Sequence, residues 1–191
     1  MKIGEKIEDF EVDAYLPDRD VIERINLRDF EDKWKLLIFY PADFSFVCPT
    51  ELEDAAKNYE EFKELGCEIL SISTDTAFSH KAWHDTSESI GKIKYPMIAD
   101  PLGKMCKEFD VYIEEGNDEG LALRGSFLID PDGILKASEI NDNSIGRNIK
   151  ESLRKLKAAQ FVREHGKQVC PANWEPGKDT LTPTSKLVGK I

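Results

Sequence analysis

Short apolar runs alternate with helix-periodic stretches along most of this chain, and that alternation limits the folds open to it more than any other feature. Residues 35–40 (KLLIFY), 68–73 (EILSIS) and 126–129 (SFLI) read as buried strands. Residues 134–140 follow the turn Asp130-Pro131-Asp132-Gly133 and should form a hairpin with the third run. Between and after these, 51–65, 79–90, 102–109 and 145–165 carry apolar residues at three- and four-residue intervals, as helices with one buried face do. The pattern predicts an α/β chain with a central sheet flanked by helices, mixed because one connection is a hairpin. A length of 191 residues suits one core better than two. Beyond His165 the residues Gly166, Pro171, Pro176, Gly177, Pro183 and Gly189 break any period, which divides the chain into a domain at 1–165 and an extended tail at 166–191. That tail holds Cys170, Trp174 and Leu187-Val188, so it is expected to dock rather than fray.

Charge removes several classes of partner. Lys and Arg number 26 against 37 Asp and Glu, a net charge of -11 that repels nucleic acid and anionic membranes. The basic residues Arg147, Lys150, Arg154, Lys155 and Lys157 alternate with apolar positions and read as a solvated helix face. The opening MKIGEKIEDF lacks the apolar stretch of a signal peptide, and the most apolar run, 36–40, is far too short to span a bilayer. A cytoplasmic location is therefore expected. There the four cysteines should be reduced, so any disulfide is transient and chemical. His80 and His84 share a helix face, but no zinc motif or closely spaced cysteine pair accompanies them; a surface or packing role is expected, and no metal. No phosphate-binding glycine motif is present, and no bound cofactor is expected.

Attention then falls on Cys48. It lies where a buried strand passes into a helix, and Pro49 suits a first helical position while keeping its predecessor out of helical geometry. A capping box from Thr50 to Glu53 would move the boundary by a residue or two. In either case Cys48 should face free backbone N–H groups, which favour thiolate over thiol. That field is worth roughly 0.3 to 1 kcal/mol, too little to ionise a cysteine of ordinary pKa about 8.5, so a nearby cation is needed. Full ionisation gains only about 30-fold in thiolate, and fast chemistry further requires groups that orient a substrate and receive charge. Taken alone, a cysteine near a helix start is more often a small buried hydrophobe. Cys67, opening a strand, and Cys106, on a short helix, are assigned to packing.

The segment 40–52 resembles the active-site stretch of peroxiredoxins, in which Pro, then Thr or Ser, then Cys stand at the places of Pro41, Ser45 and Cys48. The resemblance continues through Ser73-Thr74-Asp75-Thr76, His80-Lys81-Ala82-Trp83-His84, Asp118-Glu119-Gly120 up to Arg124, Val169-Cys170-Pro171-Ala172-Asn173-Trp174 and the final Leu187-Val188-Gly189-Lys190-Ile191. Over nearly the whole chain it is similar to two-cysteine peroxiredoxins of the bacterial alkyl hydroperoxide reductase type. The resemblance implies a thioredoxin-like (peroxiredoxin) fold and a thiol-dependent peroxidase reducing hydrogen peroxide and organic hydroperoxides. It implies that Pro41 shields the thiolate, Ser45 hydrogen-bonds the peroxide, and Arg124 stabilises thiolate and polarised O–O bond. Glu51 and Arg147 match the residues that hold this arginine, and Trp83 matches an aromatic near the site. Ser45 stands where threonine is commoner and lacks the methyl that restricts the rotamer.

By the same resemblance, Cys48 becomes a sulfenic acid that Cys170 of a second subunit condenses with, giving two intersubunit disulfides per homodimer. Bridging requires Cα atoms within about 7 Å, so the first turn of the Cys48 helix is expected to unwind. A dithiol donor then restores both thiols, either a flavin- and NAD(P)H-dependent disulfide reductase or a thioredoxin-like protein. In the family the regions of Phe44 and of 76–80 join dimers into a decamer, where otherwise they would read as core and helix cap. The Gly-Gly-Leu-Gly insertion and C-terminal arm of easily hyperoxidised relatives are not found within 87–96 or after Ile191, so resistance to peroxide is expected. A thioredoxin-like exchanger would need two cysteines separated by two residues, and acyl transfer a partnered histidine; neither is present. A redox-regulated holdase chaperone or peroxide-signalling protein is the alternative from another class.

Overall fold

A computed structural model describes residues 1–189; Lys190 and Ile191, the end of the last resembling motif, lie outside the described residues. Two compact units emerge, Met1–Ile149 and Lys150–Ile191. The first contains strands β1 (Glu11–Leu16), β2 (Val21–Asn26), β3 (Trp34–Phe39), β4 (Cys67–Ser73), β5 (Met97–Ala99), β6 (Arg124–Ile129) and β7 (Leu135–Asn141), with helices α1 (Cys48–Glu64), α2 (Ala77–Thr86) and α3 (Lys104–Glu108). The strands form one sheet in the order β2-β1-β5-β4-β3-β6-β7. β3, β4 and β5 run parallel, whereas β1 pairs antiparallel with β5 and β2, and β6 with β3 and β7. The sheet is therefore mixed, with the β6–β7 hairpin in place.

Central β3 is buried at all six positions, which is why its sequence reads as a continuous apolar run instead of alternating. On one face Phe39, Phe109 and Phe127 meet with ring centroids 4.8–5.5 Å apart, each burial worth about 1.5–3 kcal/mol. Three strands escape the apolar-run reading. The β1–β2 hairpin exposes charged residues such as Glu11, Glu23 and Arg24, and β5 has only three residues, held between β4 and β1.

Helix ends also differ from the periodic reading. α1 begins at Cys48, three residues before the period starts, because Pro49 tolerates the first turn. α2 stops at Thr86, and residues Ile90–Lys92 form a separate 3-10 turn. α3 is capped by Gly103 at φ 63°, where a Cβ would lie 2.5 Å from the Tyr112 ring, so only glycine fits.

Helix α4 (Ile149–His165) opens the second unit, starting four residues later than the period allows. The residues after it do not stay extended. Val169 pairs with Leu181 in an antiparallel bridge, Trp174 packs on Phe161 at 4.9 Å, and Arg154 donates to the Trp174 carbonyl at 3.2 Å. The tail thus docks on α4 through the tryptophan. No helix among the described residues is long and apolar enough to cross a membrane.

Candidate active site

Tyr40 extends β3 by one residue, donating its N–H to the Ile72 carbonyl at 3.0 Å, and buried Pro41 then turns the chain into the loop that precedes α1. This loop is constrained at several points. Phe44 takes φ 54°, an uncommon conformation for a bulky side chain, and its ring lies 5.9 Å from that of Trp83 on α2. Buried Asp43 accepts from the Tyr40 hydroxyl at 2.8 Å and pairs with His80 Nδ1 at 2.8 Å. His80 Nε2 lies 3.0 Å from the Ile98 carbonyl, so the ring is held at both nitrogens. Burial, reinforced by the charge of Asp43, keeps Tyr40 a neutral phenol and hence a donor. Ser45 donates its hydroxyl proton to the Ala42 carbonyl at 2.7 Å.

Cys48 is the first residue of α1, fully buried and a free thiol. The Thr50–Glu53 capping box does not form: Thr50 donates its hydroxyl to the Val47 carbonyl, and Glu53 pairs with Lys57 and Lys92. The Thr50 and Glu51 amides likewise turn to Val47 O. The charged neighbour of the sulfur is instead Arg124, whose Nη1 donates to Cys48 Sγ at 3.4 Å. Sequence reasoning required a cation here, and the fold supplies it from the first residue of β6, 76 positions away.

Glu51, one helical turn beyond Cys48, fixes that guanidinium. Its Oε2 accepts from Arg124 Nη1 at 2.6 Å and from Arg147 Nη2 at 3.0 Å, and its Oε1 accepts from Arg147 Nε at 2.9 Å and the Arg147 backbone N–H at 2.8 Å. Arg124 Nε is held by the Asn143 carbonyl at 2.8 Å, and Arg147 Nη1 by the Gly125 carbonyl at 2.6 Å. Burial pushes the Glu51 carboxyl up, but the hydrogen bonds and charge of Arg147, with the charge of Arg124, outweigh it and hold the group below its ordinary range. One carboxylate against two guanidiniums leaves one positive charge unbalanced beside Sγ. Such an arrangement can stabilise a thiolate and then an oxyanion leaving it.

Cys48, Glu51, Arg124 and Arg147 therefore meet directly, while Pro41, Ser45 and Trp83 shape the adjoining loop. Sequence reading missed Asp43 and Asn143, and it gave His80 a surface or packing role or, by resemblance, a place in the region that joins dimers; the Asp43–His80 pairing spans 37 residues and has no local signal. Cys170 lies in the second unit, partly buried, its Sγ 3.8 Å from the Ala158 carbonyl. Burial raises its thiol, an effect Arg154 opposes. Cys67 and Cys106 are buried, and burial pushes both thiols well above the usual range. Among the described residues no group of His, Cys, Asp and Glu could hold a metal ion.

The profile of the AhpC/TSA family matches residues 3–138, and that of the C-terminal domain of 1-Cys peroxiredoxin matches 158–190, a stretch that here contains Cys170. Alkyl hydroperoxide reductase C of Amphibacillus xylanus is 51% identical over 189 residues, 99% of this chain and 98% of the relative. The crystal structure of Enterococcus faecalis AhpC, 50% identical, superposes with a TM-score of 0.82 over 88% of this chain and 98% of the other. The reduced 2-Cys peroxiredoxin of Plasmodium vivax, 34% identical, gives 0.89 over 97% and 95%. Identity of this extent, kept up along nearly the full length and matched by the backbone, allows one assignment: the chain belongs to the AhpC/TSA family and is a peroxiredoxin, a thiol-dependent peroxidase.

Proposed function

We propose that Cys48 is the nucleophile of this peroxidase and Cys170 its resolving partner, acting on hydrogen peroxide and organic hydroperoxides. The observation that carries the reading is the 3.4 Å contact from the Arg124 guanidinium to a buried cysteine sulfur, with Glu51 holding the guanidinium at 2.6 Å. The thiolate attacks the terminal peroxide oxygen; the sulfur's electron pair forms the S–O bond as the O–O bond breaks, the O–O bonding pair leaves with an alkoxide or hydroxide, and the sulfur is oxidised to the sulfenic acid. Arg124 Nη2, without a protein partner among the described residues, is free to hold that oxyanion until a proton reaches it. Pro41 limits water at the sulfur, and Ser45 Oγ accepts a hydrogen bond from the peroxide O–H.

The sulfenic acid then condenses with the Cys170 thiol of a second subunit, releasing water. Because Cys48 is fully buried, the first turn of α1 must open for this step. A dithiol donor, either a flavin- and NAD(P)H-dependent disulfide reductase or a thioredoxin-like protein, reduces the disulfide by exchange. Homodimers assemble into a decamer, supported by exposed Phe44 and Phe78 at the positions the family uses for that contact. Four free cysteines suit the reducing cytoplasm.

Peroxide consumption with a chemical dithiol as donor tests the assignment. Cys48→Ser is expected to abolish turnover, and Cys170→Ser to retain dithiol-supported turnover while losing the covalent dimer on a non-reducing gel. A covalent dimer that persists without Cys170 would transfer the resolving role to Cys67 or Cys106.

A further inference from the structure

Ser45 differs from the threonine more usual at its position in having no methyl to choose its rotamer, so its direction must come from elsewhere. Its hydroxyl donates to the Ala42 carbonyl at 2.7 Å. The N–H of that same peptide unit belongs to Asp43, and it donates to Asp75 Oδ2 at 2.9 Å. Asp75, just beyond β4, is itself fixed, since its Oδ2 also accepts the Ser73 hydroxyl at 2.8 Å and its N–H donates back to Ser73 Oγ at 3.2 Å. Ser73 is fully buried at the end of a central strand, so the anchor is rigid.

These bonds line up as a chain: carboxylate, peptide N–H, peptide carbonyl, serine hydroxyl. A charged acceptor on an N–H draws electron density toward the carbonyl of the same amide, making that oxygen a stronger acceptor, and bonds in such a series reinforce one another. With its one proton committed to Ala42 O, Ser45 has only lone pairs to present.

We propose that Asp75 is a positioning residue for the peroxide: its carboxylate fixes and polarises the Ala42–Asp43 peptide, whose carbonyl takes the Ser45 proton, so that Ser45 meets the substrate as a hydrogen-bond acceptor. The inference rests on the reading of Ser45 given above. Asp75 has no hydrogen bond to Cys48, Glu51, Arg124 or Arg147. Its loss should therefore impair the grip on the hydroperoxide proton while leaving the ionisation of the sulfur alone.

The test follows the second-order rate of Cys48 oxidation in the full chain by tryptophan fluorescence, with hydrogen peroxide and a bulky organic hydroperoxide. The thiolate ultraviolet absorbance, taken as a difference from Cys48→Ser, is recorded beside it. Asp75→Ala should slow oxidation by about tenfold, the loss of one hydrogen bond to the reacting group, with the thiolate signal unchanged. Asp75→Asn keeps an acceptor without the charge and should lose about threefold, and it carries the test if the alanine variant does not fold. Ser45→Ala should be at least as slow as Asp75→Ala, and adding Asp75→Ala to it should cost nothing more. Ser45→Thr in the Asp75→Ala background should recover part of the rate, because the methyl restores rotamer preference.

An Asp75→Ala rate within about twofold of wild type, an effect that multiplies fully with Ser45→Ala, or a thiolate signal that falls with the rate would each overturn the inference. If Ser45→Ala itself reacts at the wild-type rate, the role of Ser45 fails and the inference falls with it. If Ser45→Ala is slow and Asp75→Ala is not, the inference alone fails.

Discussion

Glu51 has the most to lose from substitution. Fully satisfied, the buried carboxylate and its two guanidiniums are at least tolerated in the core; removing the carboxylate charge strands two cations, and breaking a buried pair in this way costs about 3–5 kcal/mol. Glu51→Gln is therefore expected to lower the melting temperature markedly at neutral pH and to slow peroxide reduction, since Arg124 loses its 2.6 Å anchor. The pH dependence has a definite sign. A carboxyl held below its ordinary 4.5 in the folded state contributes fully above that value, and the contribution fades as pH falls below it through the depressed one. Melting curves at a series of pH values between neutral and below 4.5 should show Glu51→Gln losing less stability on acidification than wild type. Arg124→Lys tests the geometry instead of the charge: a lysine cannot hold the Asn143 carbonyl, Glu51 and the sulfur together, and a rate roughly 100-fold lower is expected in stopped-flow oxidation. At this scale the sequence pointed to Cys48 as the candidate nucleophile and to the residue types it would need around it. The residues alone called for a cation and only the family resemblance named Arg124, 76 positions away; the loop peptide held by Asp75 across 32 residues left no local trace.

Elements that bury both faces announced themselves, as β3 and β4 did, because their apolar runs leave no polar phase. Elements that owe their existence to neighbours did not. β5 is a strand only because β4 and β1 flank it, and the β1–β2 hairpin hides its apolar positions among charged ones. The start of α1 was legible only through Pro49: the stretch from Cys48 to Thr50 has its helical bonds without the periodic apolar pattern that marks the rest. Short α3 depends on a single backbone feature, the left-handed Gly103 beneath the Tyr112 ring. Gly103→Ala is expected to destabilise the protein by about 1–3 kcal/mol, through strain at positive φ and displacement of the ring, visible as a lower urea midpoint with little change in slope.

For the molecule as a whole, the proposed ring and the proposed disulfide make separable predictions. If exposed Phe78 lies at the contact between dimers, Phe78→Glu should shift sedimentation from decamer to dimer while leaving the covalent dimer on a non-reducing gel intact. A decamer that survives the substitution would place the contact elsewhere. The surplus positive charge at the sulfur carries a consequence for the order of events in the cycle. In the proposed cycle a thiolate at Cys48 would balance the site, two guanidiniums facing a carboxylate and a sulfur anion. Conversion to a neutral sulfenic acid would delete one of those anions and leave Glu51 alone against two guanidiniums, one positive charge in excess, so the folded first turn would be least secure at the moment it has to open. Oxidation would in this way act as its own unlocking signal, with no trigger from outside the site.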